Sequence, residues 1–139
     1  MATNGDTSPV LVMDGANFST FDGFAREFSK LLGDYTWRGN LDAFNDILRG
    51  GFGTPENGFV LRWRNSALSR EALGYEATIR WLEQMLLTCH PSNRSRVQAD
   101  ISAAQRGEGR TLFDTIVEII RSHGPGGEES SDGVVLELR

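Results

Sequence analysis

The sequence predicts an α/β domain: a small three-stranded parallel sheet packed with four to five helices. Two observations carry this. Three short apolar runs, Val10–Met13, Phe59–Arg64 and Val134–Leu138, read as strands. Helix-period segments lie between successive runs, so the connections favour parallel pairing through crossovers. A chain of 139 residues suits one domain with one core. No internal repeat is visible.

Residues 1–9 are polar and read as a disordered lead-in, with a single domain over 10–139. The first strand closes at Asp14-Gly15. Ser19 or Thr20 can cap a helix to about Leu32, because Phe21, Phe24, Ala25, Phe28, Leu31 and Leu32 recur at three and four. Gly33 ends it, and a short loop carrying Tyr35 and Trp37 follows. Asn40 can cap the next helix, which runs to about Leu48 with Leu41, Phe44, Ile47 and Leu48 facing a core. Asp42 and Asp46, four apart, share its other face. Arg49-Gly50-Gly51 closes it, and Phe52–Gly58, with its Gly, Pro and Asn, is a loop.

The second strand passes from a continuous apolar run to alternation, which exposes Arg62 and Arg64 at its end. Alternating strand arginines usually face solvent or an acid, though they can hold an anion. Ser66–Leu73 reads as a helical turn. Tyr75 to about Cys89 is a helix, with Ile79, Leu82, Met85 and Leu86 on one side, and His90-Pro91 stops it. Ser92–Arg106 reads as a marginal amphipathic helix, largely exposed, which makes 75–109 a helical extension. Thr111 caps the last helix, which runs to about His123. Gly124–Gly133 is a flexible connector. Trp63 and Trp81 read as core or near-core residues.

Composition narrows the function. Charged residues make up 24% and the net charge is −5, with Lys30 the single lysine. That disfavours nucleic acid as a direct ligand, since phosphate binding relies on clustered cations. One cysteine, Cys89, permits no intramolecular disulfide and no cysteine-based zinc cluster. Neither a signal-peptide core nor a membrane-length apolar run is visible, so a cytoplasmic monomer without cofactors is expected. Catalysis is not expected either. Two acids on one exposed helix face lack the burial that would separate their pKa values, and no Ser-His-Asp arrangement is present. His90 and Cys89 alone make a poor metal site. His123, beside a helix end, reads as a C-terminal cation or an exposed residue.

What remains is a display element, Tyr35–Asp46: two rings in a short loop, then a self-capped helix with two carboxylates on one face. That suits the grip of a basic partner. Gly39-Asn40-Leu41-Asp42-Ala43-Phe44-Asn45-Asp46 resembles the binding-helix motif of the barstar family of ribonuclease inhibitors, Asn-Leu-Asp-Ala-x-x-Asp. Phe59–Arg64 is similar to that family's middle strand, an apolar run ending in Trp-Arg. The last helix, glycine and apolar C-terminal strand make a third match in the same order.

The resemblance implies a barstar-like fold and a stoichiometric inhibitor of a bacterial ribonuclease, of the immunity or antitoxin kind. Such an inhibitor plugs the basic cleft with an acidic helix and an aromatic loop. Carried over by position, Asp46 is the central anion and Asp42 the second carboxylate. Tyr35 and Trp37 pack on the cleft wall, with Arg38 beside them, while the rings themselves serve equally well as a loop cover over the core. Asn40 caps the helix at the rim, Asn45 and Arg49 complete the surface, and Gly50 allows close approach.

The sequence also departs from the pattern. Arg38 replaces a glycine and Asn45 a large aromatic. Arg49 adds a cation at the rim. Ile119 and His123 stand where two further acids are expected, with Glu118 adjacent. Tyr35–Gly51 then holds two aspartates against two arginines. This near-neutral patch keeps a second reading open, a barstar-like interaction module whose partner is not a nuclease.

Overall fold

The computed structural model describes residues 8–139; the greater part of the expected lead-in, residues 1–7, lies outside the described residues. Three strands, β1 (Val10–Asp14), β2 (Phe59–Arg64) and β3 (Val134–Leu138), form one parallel sheet in the order β1-β2-β3. Six helices accompany them among the described residues, one more than the upper expectation: α1 (Phe21–Ser29), α2 (Leu41–Arg49), α3 (Ser66–Ala72), α4 (Tyr75–Thr88), α5 (Arg94–Gln105) and α6 (Leu112–Ser122). The sixth is α3, a full helix where the sequence suggested a turn.

Register sorts the strand side chains. Met13 aligns with Trp63 and Trp63 with Leu138, while Leu11, Leu61 and Leu136 make the next row. These side chains face the helices. Because the strand period is two, Val60, Arg62 and Arg64 take the opposite face. β2 therefore alternates along its whole length, and its apolar start is not buried on both sides. Arg62 pairs with Glu137 of β3 at 2.8 Å.

The core is aromatic. Phe24, Phe28, Phe44, Phe59 and Trp63 are fully buried in one cluster with Leu61, Ile116 and Ile120. Phe24 stacks on Trp63 at 5.3 Å, and Phe28 meets Phe44 edge-on at 5.0 Å. Trp63 Nε1 donates to Ser69 Oγ at 2.9 Å, so its polar end is satisfied inside.

Three boundaries differ from the sequence reading. α1 stops at Ser29, not Leu32, because the amides of Lys30, Leu31 and Leu32 bond three residues back and tighten the end. Leu32 remains fully buried. The uncertain segment is ordered helix: α5 lies along α4, burying Val97 and Ala104, and Arg94 Nη1 donates to the Leu86 carbonyl at 2.9 Å. The connector 124–133 is a folded turn, closed by Gly127 N–H to Gly124, Glu129 N–H to Ser122 and a 3-10 turn at Ser130–Asp132.

Candidate functional site

The site begins with the cap of α2. Asn40 Oδ1 accepts from the amides of Asp42 at 2.8 Å and Ala43 at 3.1 Å. This satisfies donors that the first turn leaves free. Phe44, Ile47 and Leu48 then face the core, and the period of 3.6 leaves Asp42 and Asp46 outward. The Asp46 side chain is 59% exposed.

The preceding loop is built on Trp37. Its ring stacks on Phe44 at 4.8 Å and meets Phe24 and Phe28 edge-on at 5.7 and 5.8 Å. Its Nε1 donates to the Asn40 carbonyl at 2.8 Å. Ser29 Oγ accepts from the Trp37 amide and donates to its carbonyl, at 2.9 and 3.0 Å. Trp37 is 3% exposed. It is the anchor that fixes where α2 starts, so of the two roles the sequence left open, core cover and displayed ring, Trp37 takes the first. Its burial follows from the aromatic cluster beneath it, which the loop's local sequence does not reveal.

Tyr35 does face outward, at 37% exposure, and the exposed Phe52 ring lies 5.3 Å away. Phe52 escaped the sequence reading because it sits among glycines in a loop after α2. An apolar ring in a glycine-rich loop was the available signal.

Arg38 and Asn40 are exposed at the rim. Asn45, carried over as a partner contact, points inward: its Nδ2 reaches the Leu41 carbonyl at 3.4 Å and its Oδ1 lies 2.9 Å from His123 Nε2. Gly50 does allow a close approach, but to its own chain. Its φ is +104°, and a Cβ there would stand 2.7 Å from Glu56 Cα.

His123 departs furthest from expectation. It is fully buried at the end of α6, with Nδ1 2.6 Å from Asp132 Oδ2 and Nε2 bonded to Asn45. One imidazole thus ties α6, α2 and the turn after α6 together. A helix-end histidine usually meets solvent; this one is covered by the turn 129–133, which folds back over it.

That turn brings carboxylates beside α2. Arg49 Nε and Nη2 grip Glu129 at 2.9 and 2.7 Å, while its Nη1 holds Asp46 Oδ1 at 2.7 Å. The hydrogen bond from Arg49 lowers the Glu129 carboxyl pKa from its ordinary value, and the Arg49 guanidinium is raised in return. The turn after α6 thus sets two further carboxylates beside α2, Glu129 on Arg49 and Asp132 on His123. Counting Asp42, Asp46, Glu129 and Asp132 against Arg38 and Arg49, the assembled face carries four carboxylates to two guanidinium groups, although Tyr35–Gly51 alone is balanced.

His123, Glu129 and Asp132 bring ligand-type atoms within 4.8 Å of one another. Their polar atoms are already engaged with Asn45, Arg49 and each other, so the group reads as a structural network. Among the described residues no helix is long and apolar enough to cross a membrane.

Comparison with known proteins adds one finding. A family model described as Barstar (barnase inhibitor) matches residues 8–99. The matched span takes in the aromatic loop, α2 and β2, and leaves α6, the acidic turn and β3 beyond it. No curated protein and no solved structure matches the chain.

Proposed function

Since the chain belongs to the barstar family, we propose that it is a stoichiometric inhibitor of a ribonuclease, acting by occupying a basic active-site cleft. The observation that supports this most is the outward pair Asp42 and Asp46 on a helix whose position is fixed from beneath by Trp37 and from the cap by Asn40. A nuclease cleft collects cations to hold phosphate. Carboxylates on a rigid helix meet those cations without first being ordered, so little conformational entropy is lost on docking. Glu129 and Asp132 widen the negative face, and Tyr35 with Phe52 offers an apolar edge beside it. The inhibitor is not consumed and needs no cofactor, because blocking the cleft requires no bond to form or break. As an antitoxin or immunity protein it would work in the cytoplasm as a monomer.

Titration against ribonuclease activity tests this, using barnase and any ribonuclease retained by the immobilised chain from its native cell extract. The wild type inhibits at one to one with one of them. Asp46→Ala weakens binding by at least about 2 kcal/mol, with the unfolding midpoint unchanged. That is the scale of an interface hot spot, and it is carried over from this same family's inhibitor, whose charge hot spot is the standard example. Unchanged affinity in a folded Asp46→Ala protein removes the assignment.

One observation favours a second reading, a partner that is not a nuclease: Arg49 already neutralises part of Asp46 and Glu129. A salt series separates the two. Charge plugging requires association to slow steeply as salt is added, whereas an apolar interface centred on Tyr35 and Phe52 shows little change.

A further inference from the structure

We propose that the open face of the sheet is a second docking surface, for an acidic amphipathic helix of a partner protein. All-parallel sheets occur almost only with both faces covered, because crossover helices pack on each side. Here the helices pack on one face, and the outward side chains of all three strands meet solvent. Val10, Val60 and Val135 align in one row across the sheet, with Val10 and Val135 exposed. Val12, Arg62 and Glu137 make the next row, and Arg64 stands beyond them beside Asp14.

The charge on this face runs against the rest of the molecule. Arg62, Arg64 and Arg139, with Val12, line a concavity of about 420 Å³. Glu137 serves both Arg62, at 2.8 Å, and Arg139, at 3.1 Å. Asp14 is turned to the Asn65 amide and the Ala16 N–H, and among the described residues Arg64 has no ion-pair partner. Three arginines thus face two engaged carboxylates, on a chain of net charge −5. A row of valines, with Arg62 in the next row and Arg64 and Arg139 beyond it, fits a helix with leucine-like side chains along one stripe and carboxylates flanking its far end. Single-stranded nucleic acid is the poorer fit, since it relies on aromatic platforms for stacking and none of the outward strand residues is aromatic. This face lies across the sheet from α2, so the inference does not depend on the ribonuclease reading.

The test uses the full chain and two labelled probes: a 16-residue helical peptide of glutamate and leucine, with leucine at i, i+3, i+4 spacing, and a ten-nucleotide oligouridylate. Fluorescence anisotropy reads affinity and amide NMR shifts read position. The peptide is expected to bind with shifts at Val10, Val12, Val60, Arg62 and Val135. Arg64→Glu with Arg139→Glu weakens it at least tenfold, Arg64→Gln with Arg139→Gln less so, and Asp46→Ala leaves it unchanged. Absence of peptide binding, shifts that fall on the helices, indifference to the double charge reversal, or tighter binding of the oligouridylate each overturns the proposal.

Discussion

Replacing Trp37 separates a ring that anchors the site from one that touches a partner. At 3% exposure, Trp37 has nearly its whole side chain out of water, and truncation to alanine removes roughly 150 Å² of buried apolar area. At about 25 cal/mol per Å² that is about 4 kcal/mol, within the range of about 3–5 kcal/mol for large-to-small aromatic changes in cores. Trp37→Phe keeps a ring against Phe44 and loses the bond to the Asn40 carbonyl. That carbonyl also accepts the Phe44 amide at 3.0 Å, so it is not orphaned. The loss is therefore about 1 kcal/mol for the hydrogen bond and about 1 kcal/mol for the smaller ring. Urea unfolding followed by circular dichroism reads both. With a slope of about 2 kcal/mol per M, Trp37→Ala moves the midpoint down by about 2 M and Trp37→Phe by about 1 M. A Trp37→Ala midpoint within about 0.2 M of wild type would refute the buried anchor. Equal losses for the two variants would refute the account of ring stacking on Phe44.

Other outcomes follow from the same contacts. Gly50→Ala places a Cβ at φ +104° against the Glu56 backbone and costs at least about 2 kcal/mol, read as a lower urea midpoint. His123→Leu leaves Asn45 and Asp132 without their shared partner. It destabilises by about 2 kcal/mol and speeds amide hydrogen exchange across 129–133. Burial pushes the Glu27 carboxyl up, but hydrogen bonds from Lys30, the Asp14 amide and Asn17 outweigh it, and its pKa lies below the ordinary 4.5. The stability it adds is complete above 4.5 and drains as pH falls through the lowered folded-state value. Thermal melts of Glu27→Gln below pH 4.5 therefore show a flatter fall in Tm than the wild type.

The strands, the helix faces and the cap of α2 were legible in the amino-acid order because each depends on neighbours within one turn or one strand. Asn40 caps Asp42 and Ala43 two and three residues on, and Phe44, Ile47 and Leu48 recur at the helical period. The family motif was legible for the same reason, being confined to Gly39–Asp46. α5 was the weak point, since only Val97 and Ala104 of its residues are buried and its apolar pattern is correspondingly faint.

By itself, then, the sequence determined the parallel α/β plan, the family and the outward placement of Asp42 and Asp46. Tertiary structure alone decided which groups share the surface. Arg49 meets Glu129 across 80 positions and His123 meets Asn45 across 78. Such pairs exist only after α6 and its turn pack beside α2. The same packing drew Trp37 inward, because a ring set against Phe24, Phe28 and Phe44 gains more by leaving water than a loop position alone would suggest.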